Sequence, residues 1–296
     1  MEGFQLIEPN ELYNMLQRGL NYSSLSDTNF LLLVDARKKH EYNESHVVTA
    51  KKVPKSENGL FMIPYDAELE CKQNIVVYDS NTKDLVGATP ALECAKLFWD
   101  MGSRHEIKIL KGGYEEFSAL YPFLRTQKIL FTPRELDDIK PYPVEVIQGL
   151  LYMGDWRQGN APYIQKDLKI RAHINCCVEE ETFFPDPCPQ LLQLQVEDDN
   201  DADLFSHFKP VCDFIDKYFE EQFAVLVFDG NGISRAATTV IAFVMYHYNW
   251  TLAEAYDHVL KCSPKMRPNR GFIAQLSQWE EHVLGEKKTD ISDPNY

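Results

Sequence analysis

VLVFDGNGISRAATTVIAF, residues Val225 to Phe243, is an apolar β-type run that breaks at two glycines, a serine and an arginine and resumes as an apolar helix. A strand, a tight turn and a helix N-terminus outline a phosphate-holding loop, because backbone N–H groups and the helix dipole converge on one point. Gly230 and Gly232 permit close backbone approach, and Arg235 offers a bidentate, permanently charged clamp. Where such a loop needs a nucleophile, this one has Asp229.

On either side of this stretch, "VEVIQGLLYMGD", "AHINCCV" and "LLQLQVED" read as strands, and "DLFSHFKPVCDFIDKYFEEQ" reads as a helix that Pro210 kinks or shortens. "GFIAQLSQWEEHVLG" closes the pattern as a helix, and the polar tail "EKKTDISDPNY" is expected to fray. An earlier α/β pattern precedes these elements. A helix carries Leu12, Met15 and Leu16, and "FLLLVDAR", "NIVVYD" and "EIKIL" form strands. "TPALECAKLFWDMG" forms a helix with Pro90 in its first turn and Gly102 as its stop, and "GGYEEFSALYP" another. Strands alternating with helices argue for mostly parallel sheets. Three prolines among charges, from Arg125 to Val144, mark a linker. The expected organisation is a first domain at 1–125, a linker at 126–143, a second domain at 144–286 and a tail at 287–296.

A chain of 296 residues suits two domains, and its shares of 44% hydrophobic and 25% charged residues are those of a globular protein. Apolar runs such as Val240 to Met245 fall far short of the roughly 18 residues a membrane span needs. The start has an early Glu2 and no basic segment before an apolar core, so a secretory signal is not expected and the reading is intracellular, in the cytoplasm. Seven scattered cysteines, Cys71, Cys94, Cys176, Cys177, Cys188, Cys212 and Cys262, read as reduced core thiols. No metal-ligand spacing and no cofactor motif occurs, so neither is expected. The net charge of -15, from 30 Lys plus Arg against 45 Asp plus Glu, disfavours nucleic acid as a partner and leaves any anion binding to local groups.

From about Val144 to Gly285 the chain resembles the cysteine-dependent dual-specificity protein phosphatases, whose signature is His-Cys, five residues and Arg. The match rests on "LYMGD", "VEDD", "DFID", the loop and "MRPNRGFIAQLSQWE". The resemblance puts Phe228 at the histidine position and Asp229 at the cysteine position, and gives Ala236 where a hydroxyl usually follows the arginine. The degenerate phosphate loop is then Phe228, Asp229, Gly230, Asn231, Gly232, Ile233, Ser234 and Arg235. A carboxylate is a far poorer nucleophile toward a phosphate ester than a thiolate. Its oxygens are expected to fill the anion site from within, taking the loop N–H groups and Arg235. Asp198 falls at the general-acid position, as a vestige. Read without the resemblance, Glu197, Asp198, Asp199, Asp201 and Asp203 are a solvated turn and the acidic start of a helix.

From about Gln5 to Leu124 the chain resembles a rhodanese-like domain, on Asp35, Arg37, Glu41, Tyr42, Ser45 and His46, then "NIVVYD" and "LKGGYEEF". The rhodanese cysteine position is held by Asp79, so no persulfide forms there, and Asp35, Arg37 and His46 read as structural. This domain order resembles the mitogen-activated protein kinase phosphatases, although "SNTKDLVG" and "MGSRHEIK" carry only isolated charges in place of a kinase-docking arginine cluster. The loop form Phe-x-x-x-Gly-Ile-Ser-Arg resembles rhodanese-bearing pseudophosphatases. The resemblance implies that the chain is not an enzyme and is a signalling regulator or scaffold acting through protein contacts. Its expected partners are signalling proteins, among them phosphoproteins or kinases. Two other readings stay open: a phosphoprotein reader using Arg235 and the loop amides, and an enzyme with Asp229 as nucleophile.

Overall fold

The computed structural model describes residues 3–18, 24–65, 67–130, 132–178, 190–293 and 296. Of the cysteines, Cys188 lies outside them. The chain divides into two compact units, Met1–Pro141 and Tyr142–Tyr296.

The first unit contains β1 (Phe4–Ile7), α1 (Pro9–Leu16), β2 (Leu31–Asp35), α2 (Lys39–Glu44), β3 (His46–Val47), β4 (Lys51–Lys52), β5 (Asn74–Tyr78), α3 (Pro90–Asp100), β6 (Ile107–Leu110), α4 (Gly113–Leu120), β7 (Arg125–Thr126) and α5 (Pro133–Asp137). Its main sheet is parallel throughout, in the order β1-β6-β5-β2-β4. β2 and β5 are near-continuous apolar runs because helices cover both faces of such a sheet. α3 starts where Pro90 presets the first turn and Thr89 accepts a hydrogen bond from Leu92 N–H. Its buried face, Ala91, Ala95 and Phe98, joins Val34, Ile75, Val77 and Ile109 in the core. The segment read as a linker is structured in part. β7 pairs antiparallel with β3, and Thr132 caps α5 reciprocally with Glu135. Pro133, one of the three prolines of that stretch, sits at a helix start, where the missing N–H costs nothing.

The second unit contains β8 (Val144–Ile147), β9 (Leu151–Asp155), α6 (Trp156–Gly159), α7 (Pro162–Asp167), β10 (Ile170–Asn175), β11 (Gln190–Gln193), α8 (Phe205–Glu220), β12 (Ala224–Asp229), α9 (Arg235–Tyr248), α10 (Leu252–Cys262) and α11 (Arg270–Leu284). The sheet order is β11-β10-β12-β9-β8, parallel except for the β8/β9 pair. α8, α9, α10 and α11 bury Phe208, Ile215, Val240, Phe243, Val259, Phe272 and Trp279 against it. Pro210 does not end α8, which runs unbroken for 16 residues. It lies close to the N-terminus and forgoes a single backbone bond. The tail expected to fray is fastened. Glu280 accepts hydrogen bonds from Lys288 N–H, Thr289 N–H and Thr289 Oγ1, and Tyr296 packs edge-on against Tyr256 at 4.9 Å.

Candidate functional site

β12 delivers Asp229 to the carboxyl end of the sheet, beside Asp155 on β9 in parallel register. The carboxylate is buried, and two consecutive loop amides close on one of its oxygens. Oδ1 accepts from Asn231 N–H at 2.8 Å and from Gly232 N–H, while Oδ2 accepts from Ala236 N–H at 2.9 Å. Ala236 is in the first turn of α9, whose preceding residue, Ser234, makes no side-chain cap. The helix is therefore capped from the strand by Asp229. The turn closes because Gly232 adopts φ +67°, and a Cβ there would meet the Gly154 backbone at 2.8 Å.

The other loop residues surround this clamp. Phe228 is fully buried, edge-on to His173 at 6.2 Å, and presses on Gly159, where a Cβ would lie 2.7 Å from its ring. Gly230 has open space apart from Arg235 Nη2, Asn231 is exposed, and Ile233 accepts from Arg267 N–H at 2.9 Å. Arg235 departs from expectation. Its Nη1 donates to Val196 O at 2.8 Å, and its buried Nε has no hydrogen-bond partner among the described residues. The amides satisfy Asp229 without the guanidinium.

Asp198 stands apart from its acidic neighbours. Its Oδ1 accepts from Ser234 Oγ at 2.7 Å and from Asn269 Nδ2 at 3.1 Å, which draws the general-acid position onto the loop. Asp199 closes a local turn onto Asp201 N–H, and Asp203 accepts from Ser206 N–H at the start of α8. Asn269 also caps α11 through Phe272 N–H, so the "RPN" segment serves helix and site together.

One cationic and two uncharged groups complete the surroundings. Lys265 is half-buried, and burial holds its pKa below the ordinary lysine value although Asp155 and Asp229 both pull it up. Burial pushes the Cys176 thiol far up, with Asp229 adding to the effect, so it stays protonated beside Thr239 Oγ1. Burial lowers His173 from 6.5 to about 3, which keeps it neutral. Sequence reasoning missed Lys265, Asn269 and Asp155 as site residues, and their charge or amide type within "SPKMRPN" and "YMGD" was the available signal. Among the described residues no group of three His, Cys, Asp or Glu side chains could hold a metal ion.

In the first unit Asp79 follows β5 and is likewise buried. Oδ1 accepts from Asn81 N–H at 3.1 Å and Thr82 N–H at 2.9 Å, and Oδ2 accepts from Thr82 Oγ1 at 2.6 Å and Ala91 N–H at 3.1 Å. Asp35 and Arg37 form a buried ion pair, with Nη2 to Oδ2 at 2.6 Å and the guanidinium 3.7 Å from the Tyr114 ring centroid. His46 stacks on Tyr42 at 3.9 Å and bonds Tyr42 O at 2.9 Å.

The dual specificity phosphatase catalytic domain family matches residues 151–282, and the rhodanese-like domain family matches residues 9–120. The chain is a rhodanese-containing, dual-specificity-phosphatase-like protein. Its two units are the N-terminal rhodanese-like domain and the C-terminal phosphatase-like domain. Human dual specificity protein phosphatase 16 is 27% identical over 294 residues, covering 91% of this chain and 43% of the relative. The probable rhodanese domain-containing dual specificity protein phosphatase of Dictyostelium discoideum is 26% identical over 183 residues, covering 61% of this chain and 38% of the relative. The chain thus spans less than half the length of these relatives. A crystal structure of the human tyrosine phosphatase-like serine/threonine/tyrosine-interacting protein is 25% identical, with a TM-score of 0.44, covering 47% of this chain and 96% of that one.

The expectation that the chain is not an enzyme is corrected by these relatives, which are named as phosphatases and point to an enzyme family. Physically, that expectation weighed the replacements at Asp79, Phe228, Asp229 and Ala236 above the catalytic framework around them. Enzymes stripped of their nucleophile keep part of their rate enhancement through electrostatics and binding.

Proposed function

We propose that this rhodanese-containing, phosphatase-like chain regulates phosphorylation signalling through protein contacts, as a scaffold or regulator, with its phosphate loop occupied by its own Asp229. The observation that carries the reading is the set of three amide bonds to that carboxylate. An incoming phosphate must displace an internal anion that is already tethered, and tethering favours the internal one. The form Phe228 to Arg235 supports kinship with the serine/threonine/tyrosine-interacting-like proteins. A cytoplasmic site of action fits cysteines set in apolar cores, such as Cys94, Cys176 and Cys212. No helix among the described residues is long and apolar enough to cross a membrane.

A second reading has one observation in its favour. The buried, unpartnered Arg235 Nε is a donor that a phosphoprotein's phosphate could take. Partner capture from cells with the full chain separates the two readings, using wild type with and without tungstate and the Arg235→Ala variant. The contact role predicts one partner set in all three. Partners lost in tungstate or with Arg235→Ala would transfer the function to the loop and overturn the contact role.

A further inference from the structure

Beyond Asp229, the loop holds a second group with chemistry of its own. Asn231 is exposed, and Gly232 follows it. In an Asn-Gly pair the glycine nitrogen can attack the asparagine side-chain carbonyl, since no Cβ on the second residue obstructs the approach. A bond forms between Gly232 N and Asn231 Cγ. The bond from Cγ to the side-chain nitrogen breaks, and ammonia leaves with the proton from Gly232 N–H. Water then opens the five-membered imide at either carbonyl, giving aspartate or its β-linked isomer.

The structure restrains the first of these steps. Gly232 N–H, the nucleophile in protonated form, donates to Asp229 Oδ1, and Asn231 N–H donates to the same oxygen at 2.8 Å. Gly232 is also lodged against the Gly154 backbone, which fixes the peptide plane that would have to rotate. We propose that Asn231 is a deamidation site gated by the Asp229 carboxylate, so that the loop records, irreversibly, the time Asp229 spends off its amides. Either product alters the clamp. A new carboxylate at 231 repels Asp229, and a β-linkage inserts an extra main-chain atom between the two amides that now share Oδ1.

The chain supplies its own reference. Asn58 is exposed and precedes Gly59, whose N–H donates to Ser56 O at 2.9 Å in a turn with open space around it. Among the described residues no buried carboxylate accepts a hydrogen bond from Gly59 N–H.

The test is incubation of the full chain at mildly alkaline pH. Peptide mass spectrometry follows conversion at residues 58 and 231, and an isoaspartyl assay identifies the β-linked product. Wild type is expected to convert Asn58 about tenfold or more faster than Asn231. Asp229→Ser is expected to raise the Asn231 rate roughly tenfold, with Asn58 unchanged. If Asp229→Ser fails to melt cooperatively, Asp229→Asn serves instead, since it keeps one acceptor and loses the charge, and a smaller rise is expected. Equal rates at the two sites in wild type would overturn the proposal. So would an Asn231 rate that stays level or falls in the folded variant.

Discussion

Asp79 and Asp229, in two unlike domains, hold their surroundings by the same pattern. Each lies at the end of a central strand, gives Oδ1 to the N–H groups two and three residues on, and gives Oδ2 to an amide in the first turn of the next helix. At each position the resemblance places a family cysteine. A carboxylate can satisfy convergent amides by itself, because it is acceptor-only and already charged.

Removing either carboxylate strands buried donors. Asp229→Ala and Asp79→Ala are each expected to destabilise their own unit by about 2–4 kcal/mol. Chemical denaturation followed by domain-specific probes checks this. The double variant should show the two losses added, since the units have separate cores.

Restoring the family's residues should restore the family's chemistry. Phe228→His with Asp229→Cys frees the loop amides and places a thiolate at a helix N-terminus, with Asp198 already drawn to Ser234. Aryl phosphate hydrolysis is expected to rise on the order of a hundredfold over wild type. A rise that persists when Asp198→Asn is added would remove Asp198 from the acid role.

Arg37 is the support of the first domain's strand end. Arg37→Ala removes the ion-pair partner of buried Asp35 and should cost about 3–5 kcal/mol, read from thermal or denaturant unfolding. Arg37→Lys is expected to recover little, because the bidentate contact and the stack on Tyr114 both need a planar guanidinium.

His173 gives the second domain a pH dependence of definite sign. Burial lowers it from 6.5 to about 3, so the folded chain keeps it neutral where the unfolded chain binds a proton. Its stabilising share is complete above the unfolded pKa near 6.5 and is lost as pH falls toward 3, at no more than about 1.4 kcal/mol per pH unit. Denaturation midpoints between pH 6.5 and 5, above the carboxylate range, should fall in wild type and stay level in His173→Met.

The strand-loop-helix from Val225 to Phe243 was legible because apolar periodicity, glycines and an arginine fall in one short window. The rhodanese-like strands ending at Asp35 and Tyr78 were legible because each is a short, almost wholly apolar run. What escaped depends on partners distant in sequence. Arg235 turns to Val196 O, Asp198 is held by Asn269, and the tail is tied to Glu280, pairings that no local pattern encodes. Asp79 was visible as a replacement and hidden as a clamp, because its third amide, from Ala91, lies beyond a long loop.

Direct titration of an inorganic oxyanion shows whether Asp229 is the anion its loop holds. Tungstate is added to the full chain in wild type and in Asp229→Ser, with heat of binding as the readout. The variant is expected to bind tungstate at least about tenfold more tightly than wild type, and Arg235→Ala in the variant is expected to abolish the gain. Wild type binding tungstate as tightly as the variant would show the amides to be free in solution and Asp229 not to be the anion they hold.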